Sequence, residues 1–193
     1  MSITITELCD KVDRAIIFLA ENEPIDKWKV QKGVFYFLWL DSIRNNYDFI
    51  SVVKKIQFSP DKQGPYSEVI AGEEDMLIQD GFLETLDPES KNLPIKATSK
   101  GMSEFYNSLK PDEKVHLSHI RQIFDKLNSD EVVFFIYFNP YIPYEIKNYF
   151  VSKSEMKKSL ILQKEKYLLK LLKCEIIDQT TAENMREFIN KMN

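Results

Sequence analysis

Cysteine is nearly absent from this chain. Cys9 and Cys174 stand far apart and unaccompanied, which excludes a disulfide scaffold and a cysteine-rich metal knuckle and reads as two reduced, core-type thiols. Glycine is scarce as well, five in 193 residues, so long flexible loops are not expected. The longest apolar run, residues 34–40, is far too short to span a bilayer. No basic segment followed by an apolar stretch opens the chain, so a secretory signal is not expected and the cytoplasm is the expected location. An excess of positive charge is also missing. The net charge of -4 gives no general electrostatic reason to bind nucleic acid. Cys-x-x-Cys, His-Glu-x-x-His, P-loop and Gly-x-Ser-x-Gly patterns do not occur, and no catalytic constellation or cofactor motif stands out.

What is present is enough apolar material for a core: 44% hydrophobic and 12% aromatic residues. Thr4 and Glu7 form a capping-box pair, with Ile3 and Leu8 placed for a hydrophobic staple. Ile5, Leu8, Val12, Ile16 and Leu19 then recur at helical spacing. After the break at 21–24, Asp26 is the expected N-cap of a second helix running to Asn45. Its middle, 34–40, is apolar on every side, which predicts a central helix wrapped by other elements. Residues 47–53 suit either more helix or the start of a strand ending at Phe58.

The stretch 54–101 organises the rest. An alternating run, Lys55-Ile56-Gln57-Phe58, leads into Gly64-Pro65-Tyr66-Ser67. Ser67 is the expected N-cap of a third helix that ends at Gly81, with Leu77 and Phe82 placed for a Schellman contact. Two strand-like runs follow, 82–86 and 93–97, joined by a polar loop with Asp87, Glu89 and Lys91. Thr98 opens the next helix. Further on, Asp112 is expected to cap a helix carrying Leu117, Ile120 and Phe124. A very apolar segment spans 132–138, and capping boxes at Ser152/Glu155 and Thr180/Glu183 are expected to start the last two helices. The order predicts an α+β, mainly helical fold: a winged-helix-like N-terminal module over 1–110, with a small antiparallel sheet, and a helical C-terminal extension over 111–193 packed on it.

Lys29-Val30-Gln31-Lys32-Gly33-Val34-Phe35-Tyr36-Phe37-Leu38 resembles the helix of YwgA-type winged-helix proteins of bacteria and archaea. Gly64-Pro65-Tyr66-Ser67, Gly81-Phe82-Leu83, Ala97-Thr98-Ser99-Lys100-Gly101 and Phe135-Ile136-Tyr137 with Asn139-Pro140-Tyr141 are similar to that family's later motifs. More distantly the layout resembles Panacea-type antitoxin domains and MarR- and PadR-like regulators. The resemblance implies a winged-helix-like fold and a regulatory or defence-related role, with no known chemistry.

Charge argues about how such a fold is used. The segment 68–80 holds Glu68, Glu73, Glu74, Asp75 and Asp80 and no basic residue, so it would be repelled by the phosphates a groove-reading helix must approach. The leading expectation is therefore a non-catalytic module that works by contact with a protein partner or a second copy, through Tyr66, Glu68, Glu73 and Glu74. The alternative is a dimeric DNA-binding regulator that touches the backbone through Lys54, Lys55, Lys96, Lys157, Lys158 and Lys164, the last three on an expected lysine-rich helix over 153–173. A distant third is a metal-dependent enzyme at Glu113, His116 and His119, which share one helical step of three. No membrane partner is expected.

Overall fold

In the computed structural model, which describes residues 3–61, 64–87, 89, 93–153 and 157–192, helix α1 (Ile5–Leu19) opens on the expected capping box. Thr4 Oγ1 accepts from the Glu7 N–H, and the Glu7 carboxylate accepts from the Thr4 N–H. Ile3, Leu8, Val12, Ile16 and Leu19 are buried. Ile5, expected on the same stripe, is 48% exposed; it lies in the first turn, where burial depends on what reaches over the helix end rather than on helical phase.

Helix α2 (Lys27–Asn45) is the central helix, with every residue from Val30 to Leu38 buried. Asp26 precedes it but caps no backbone donor; its carboxylate accepts from Trp28 Nε1 at 3.1 Å. Asn46 ends it in the left-handed region. The ambiguous stretch 47–53 is resolved as helix: α3 (Phe49–Lys55) starts on an Asp48 cap. The alternating run 55–58 is not a strand. Lys55 closes α3, Gln57 adopts a positive φ of 57°, and Ile56 and Phe58 are both buried. Four residues of alternation fit a helix end and a turn as well as a strand. Phe35 then packs edge-on against Phe49 and Phe58, with centroids 5.4 and 5.0 Å away.

Strands β2 (Ser59–Asp61) and β3 (Gly64–Tyr66) pair as a two-stranded sheet. Helix α4 (Glu68–Gln79) starts on Ser67, whose Oγ accepts from the Ile70 N–H. It ends in a Schellman motif, with the Phe82 N–H bonded to the Leu77 carbonyl and the Gly81 N–H to that of Ile78. Gly81 supplies the required left-handed φ of 74°. Strands β4 (Leu83–Thr85) and β5 (Pro94–Ala97) join β1 (Ile25–Asp26) in an antiparallel sheet of order β1-β5-β4, with Ile25 opposite Ile95 and Leu83 opposite Ala97. Lys91 of the connecting loop lies outside the described residues. Helix α5 (Ser99–Phe105) starts on Thr98, which accepts from the Gly101 N–H. A Cβ at Gly101 would collide with the backbone carbonyl of Phe82, so the closing glycine of this motif is set by the helix riding on β4's entry.

Helix α6 (Pro111–Asp125) begins one residue before the expected Asp112 cap. Pro111 takes the first helical position, where a missing N–H costs nothing, and Glu113 accepts from the Lys110 N–H. Contacts divide the chain into two units: Met1–Phe58 with Tyr66–Gln122, and Ser59–Pro65 with Ile123–Asn193. This division differs from the expected 1–110 and 111–193, because most of α6 belongs to the first unit.

In the second unit, α7 (Ser129–Phe138) is buried from Glu131 to Phe138 behind an Asn128/Glu131 capping box. Then come α8 (Tyr144–Lys153), α9 (Lys157–Leu162), α10 (Lys164–Lys173) and α11 (Gln179–Lys191). Of the expected Ser152/Glu155 box, Ser152 falls within α8 and Glu155 lies outside the described residues. Asp178, not Thr180, caps α11, accepting from the Thr181 N–H at 2.7 Å. The lysine-rich segment is not one helix over 153–173, since Gln163 has a ψ of 9° and separates α9 from α10. The whole is mainly helical with a small antiparallel sheet, the α+β class expected. No helix among the described residues is long and apolar enough to cross a membrane.

Candidate functional site

The turn before α4 is held from α2. Gln31, 2% exposed, donates from Nε2 to the Ser67 carbonyl at 3.2 Å and accepts from the Ser67 N–H at 3.1 Å. One side-chain amide thus pairs with a backbone residue as a neighbouring strand would. Ser67 Oγ donates to the Ile56 carbonyl as well. These bonds link two motifs that lie 36 residues apart and fix where α4 starts. Beside them, the half-buried Tyr66 has its hydroxyl 3.5 Å from a Glu68 carboxylate oxygen.

The acidic residues of α4 separate into three environments. Glu68 and Asp75 are exposed, along with Gly72, Met76 and Gln79; these positions form one stripe at helical spacing. Lys27 Nζ approaches Asp75 at 2.7 Å from the side of α2. Glu73 turns toward α1, where its carboxylate lies beside the Cys9 thiol and Asp13. Burial, followed by the charge of the neighbouring Glu73, raises the Asp13 carboxyl to about 7. Burial and Glu73 also push the Cys9 thiol up to about 11, which keeps it protonated and unreactive. Glu74 is 2% exposed, with one carboxylate oxygen lacking any hydrogen-bond partner. Burial raises its pKa to about 8, against the attraction of Lys27 and Lys32. Glu74, buried, and Glu73, half-buried toward α1, therefore lie off the exposed stripe of α4, because the apolar stripe of the helix is narrow and α1 and α2 cover the residues flanking it.

The metal candidates do not converge. Glu113 is buried and committed to Lys11, whose Nζ lies 2.9 Å from it and 3.0 Å from Asp41, while His116 is half-buried and His119 exposed. No group of three or more His, Cys, Asp or Glu residues placed for a metal ion occurs among the described residues. Burial opposes the charge on Lys11, but the hydrogen bond to Glu113 and the presence of Asp41 outweigh it and raise its pKa. Glu113 is held below the ordinary carboxylate range; burial works against this, and the Lys110 N–H and Lys11 overcome it.

The lysines of the nucleic-acid alternative divide between the units. Lys54, Lys55 and Lys96 are in the first; Lys54 is exposed, and Lys55 Nζ donates to the Ile3 carbonyl. In the second, Lys157 Nζ donates to the Met192 carbonyl at 3.0 Å and Lys164 Nζ to Asn190 Oδ1 at 2.6 Å, while Lys158 is exposed. Two of the three lysines expected on the basic helix thus tether the end of α11.

The sequence carried a signal for some of the buried polar residues and none for others. Gln31, Lys32 and Asp41 lie on a helix apolar on every side, which obliges them to be buried and partnered. Lys11 and Glu113 carried no such mark, being charged residues on ordinary amphipathic helices. No family model, curated protein or solved structure matches this chain.

Proposed function

We propose that the chain is a non-catalytic regulatory module of winged-helix type, in which α4 faces a protein partner rather than DNA bases. Chain order supports the architecture: α1, β1, α2 and α3, then α4, then the β4–β5 hairpin, with β1 closing the sheet as β1-β5-β4. The motif likeness to YwgA-type proteins fits a regulatory or defence-related role. The observation that carries the proposal is the exposed stripe of α4, which presents Glu68, Gly72, Asp75, Met76 and Gln79 with no Lys or Arg on the helix. In helix-turn-helix readers the corresponding helix enters the major groove, and two exposed carboxylates there oppose phosphate contact. The stripe suits a partner with basic side chains around an apolar residue that covers Met76.

Fluorescence anisotropy against a lysine-rich amphipathic helical peptide, and against a random-sequence DNA duplex, tests this. The peptide is expected to bind at low salt and to be lost with Glu68→Lys combined with Asp75→Lys, and the duplex to stay free. Duplex binding with a steep salt dependence, weakened by Lys54→Ala or Lys158→Ala and untouched by the α4 pair, would overturn the proposal in favour of the DNA-binding reading.

A further inference from the structure

The second unit contains a buried amine that none of the preceding roles uses. Lys147 closes the first turn of α8 and is 5% exposed. Its Nζ sits 4.0 Å from the centroid of the Phe188 ring on α11, and no carboxylate pairs with it among the described residues. Tyr144, one turn earlier on α8 and 57% exposed, packs edge-on against the same ring at 5.8 Å, and the buried Phe138 lies against it at 6.2 Å. The amine therefore stands beside a wall of three aromatic rings that reaches the surface at Tyr144.

Charged groups on the surrounding elements are occupied or exposed. On α7, Glu131 closes the helix cap and Asp130 accepts from the Tyr167 hydroxyl. Lys157 of α9 donates to the Met192 carbonyl, and Arg186 of α11 is paired with Glu165. Asp61 of β2, Glu145 of α8, Lys158 of α9 and Glu183, Glu187 and Lys191 of α11 are exposed. None of them offsets the burial, which alone lowers the Lys147 pKa to about 8. A lysine ammonium in water loses its proton near 10.4; a desolvated one without a counter-charge is neutral, and nucleophilic, much nearer neutral pH.

We propose that Lys147 is the nucleophile of a carbonyl-capturing site, which binds a small aldehyde or ketone with an apolar or aromatic body laid against Tyr144 and Phe188. The neutral amine adds its lone pair to the carbonyl carbon, and the carbonyl π pair moves to oxygen, which takes a proton. Loss of one water from the carbinolamine gives the imine. Amine and carbonyl compound become imine and water, with no oxidant or reductant. Capture replaces the amine with a larger group at the junction of α8 and α11, giving a regulatory module a means of sensing a small metabolite.

The test is competitive labelling of the intact chain with benzaldehyde at pH 7, reduction of the adducts with borohydride, and mapping by peptide mass spectrometry. Lys147 is expected to be labelled at least roughly tenfold faster than the exposed Lys158 and Lys166, because its desolvation favours the neutral, nucleophilic amine. Its rate should reach half its maximum near pH 8. Tyr144→Glu sets a carboxylate one turn away at an exposed position. It should move that midpoint upward and slow labelling at pH 7, and denaturant should abolish the preference. Labelling of Lys147 no faster than that of Lys158 and Lys166, or a midpoint unmoved by Tyr144→Glu, overturns the proposal.

Discussion

At the scale of single residues, the buried charges decide how this chain responds to pH. Glu74 binds its proton more tightly in the native state, with a pKa of about 8, than at its ordinary value of 4.5. Its stabilising contribution is complete below 4.5 and is lost as pH rises through 8. Glu74→Gln should therefore remove a decline in stability between pH 5 and pH 8.5, on the order of a few kcal/mol, read as the difference between wild-type and variant urea midpoints. Lys11 is the opposite case, a buried charge that is tolerated because two carboxylates partner it. Replacing it with methionine strands Asp41 and Glu113, and should cost about 3–5 kcal/mol. Adding Glu113→Gln to Lys11→Met should recover part of that loss, since one of the two stranded charges is then removed. Both effects are measurable by thermal or denaturant unfolding.

At the scale of elements, local chemistry was legible at several helix termini, although Asp26 and Thr180 do not act as the expected caps. The Thr4/Glu7 box, the Ser67 cap and the Gly81 stop are found where the residues place them. Short alternation misled at 55–58, because a helix end followed by a left-handed Gln57 buries the same two side chains as a strand would. The lysine-rich segment misled for a different reason: continuous helical composition does not reveal a single residue, Gln163, that leaves helical ψ. On α4 the acidic count was legible but the burial of Glu74 and the half-burial of Glu73 were not, since they depend on α1 and α2 covering both sides of a narrow apolar stripe.

The clip between Gln31 and Ser67 also belongs at this scale. Gln31→Ala leaves a buried N–H and carbonyl without partners and should cost about 1–3 kcal/mol. It should also raise amide exchange at Ser67 and through the first turn of α4 more than at α5. Gly101→Ala should destabilise by a similar amount, about 1–3 kcal/mol, because the methyl meets the Phe82 backbone; the drop in melting temperature reports it.

At the scale of the whole molecule, the division after Gln122 gives a sharper expectation than one after Lys110. A fragment ending at Lys110 lacks Glu113, Leu117 and Ile120, all buried, and should melt without a cooperative transition. A fragment of residues 1–122 should keep one, as monitored by circular dichroism. The Lys11–Glu113 bond joins residues 102 apart in the chain, whereas Asp41 lies only 30 beyond Lys11. During synthesis the lysine therefore meets its first carboxylate early and waits for its second. At the usual 5–20 residues per second the interval is about 4–14 s, and over that time α1 is held by one partner and by water. The first unit closes when α6 leaves the ribosome, so any factor that recognises the unfinished protein has that interval in which to find it.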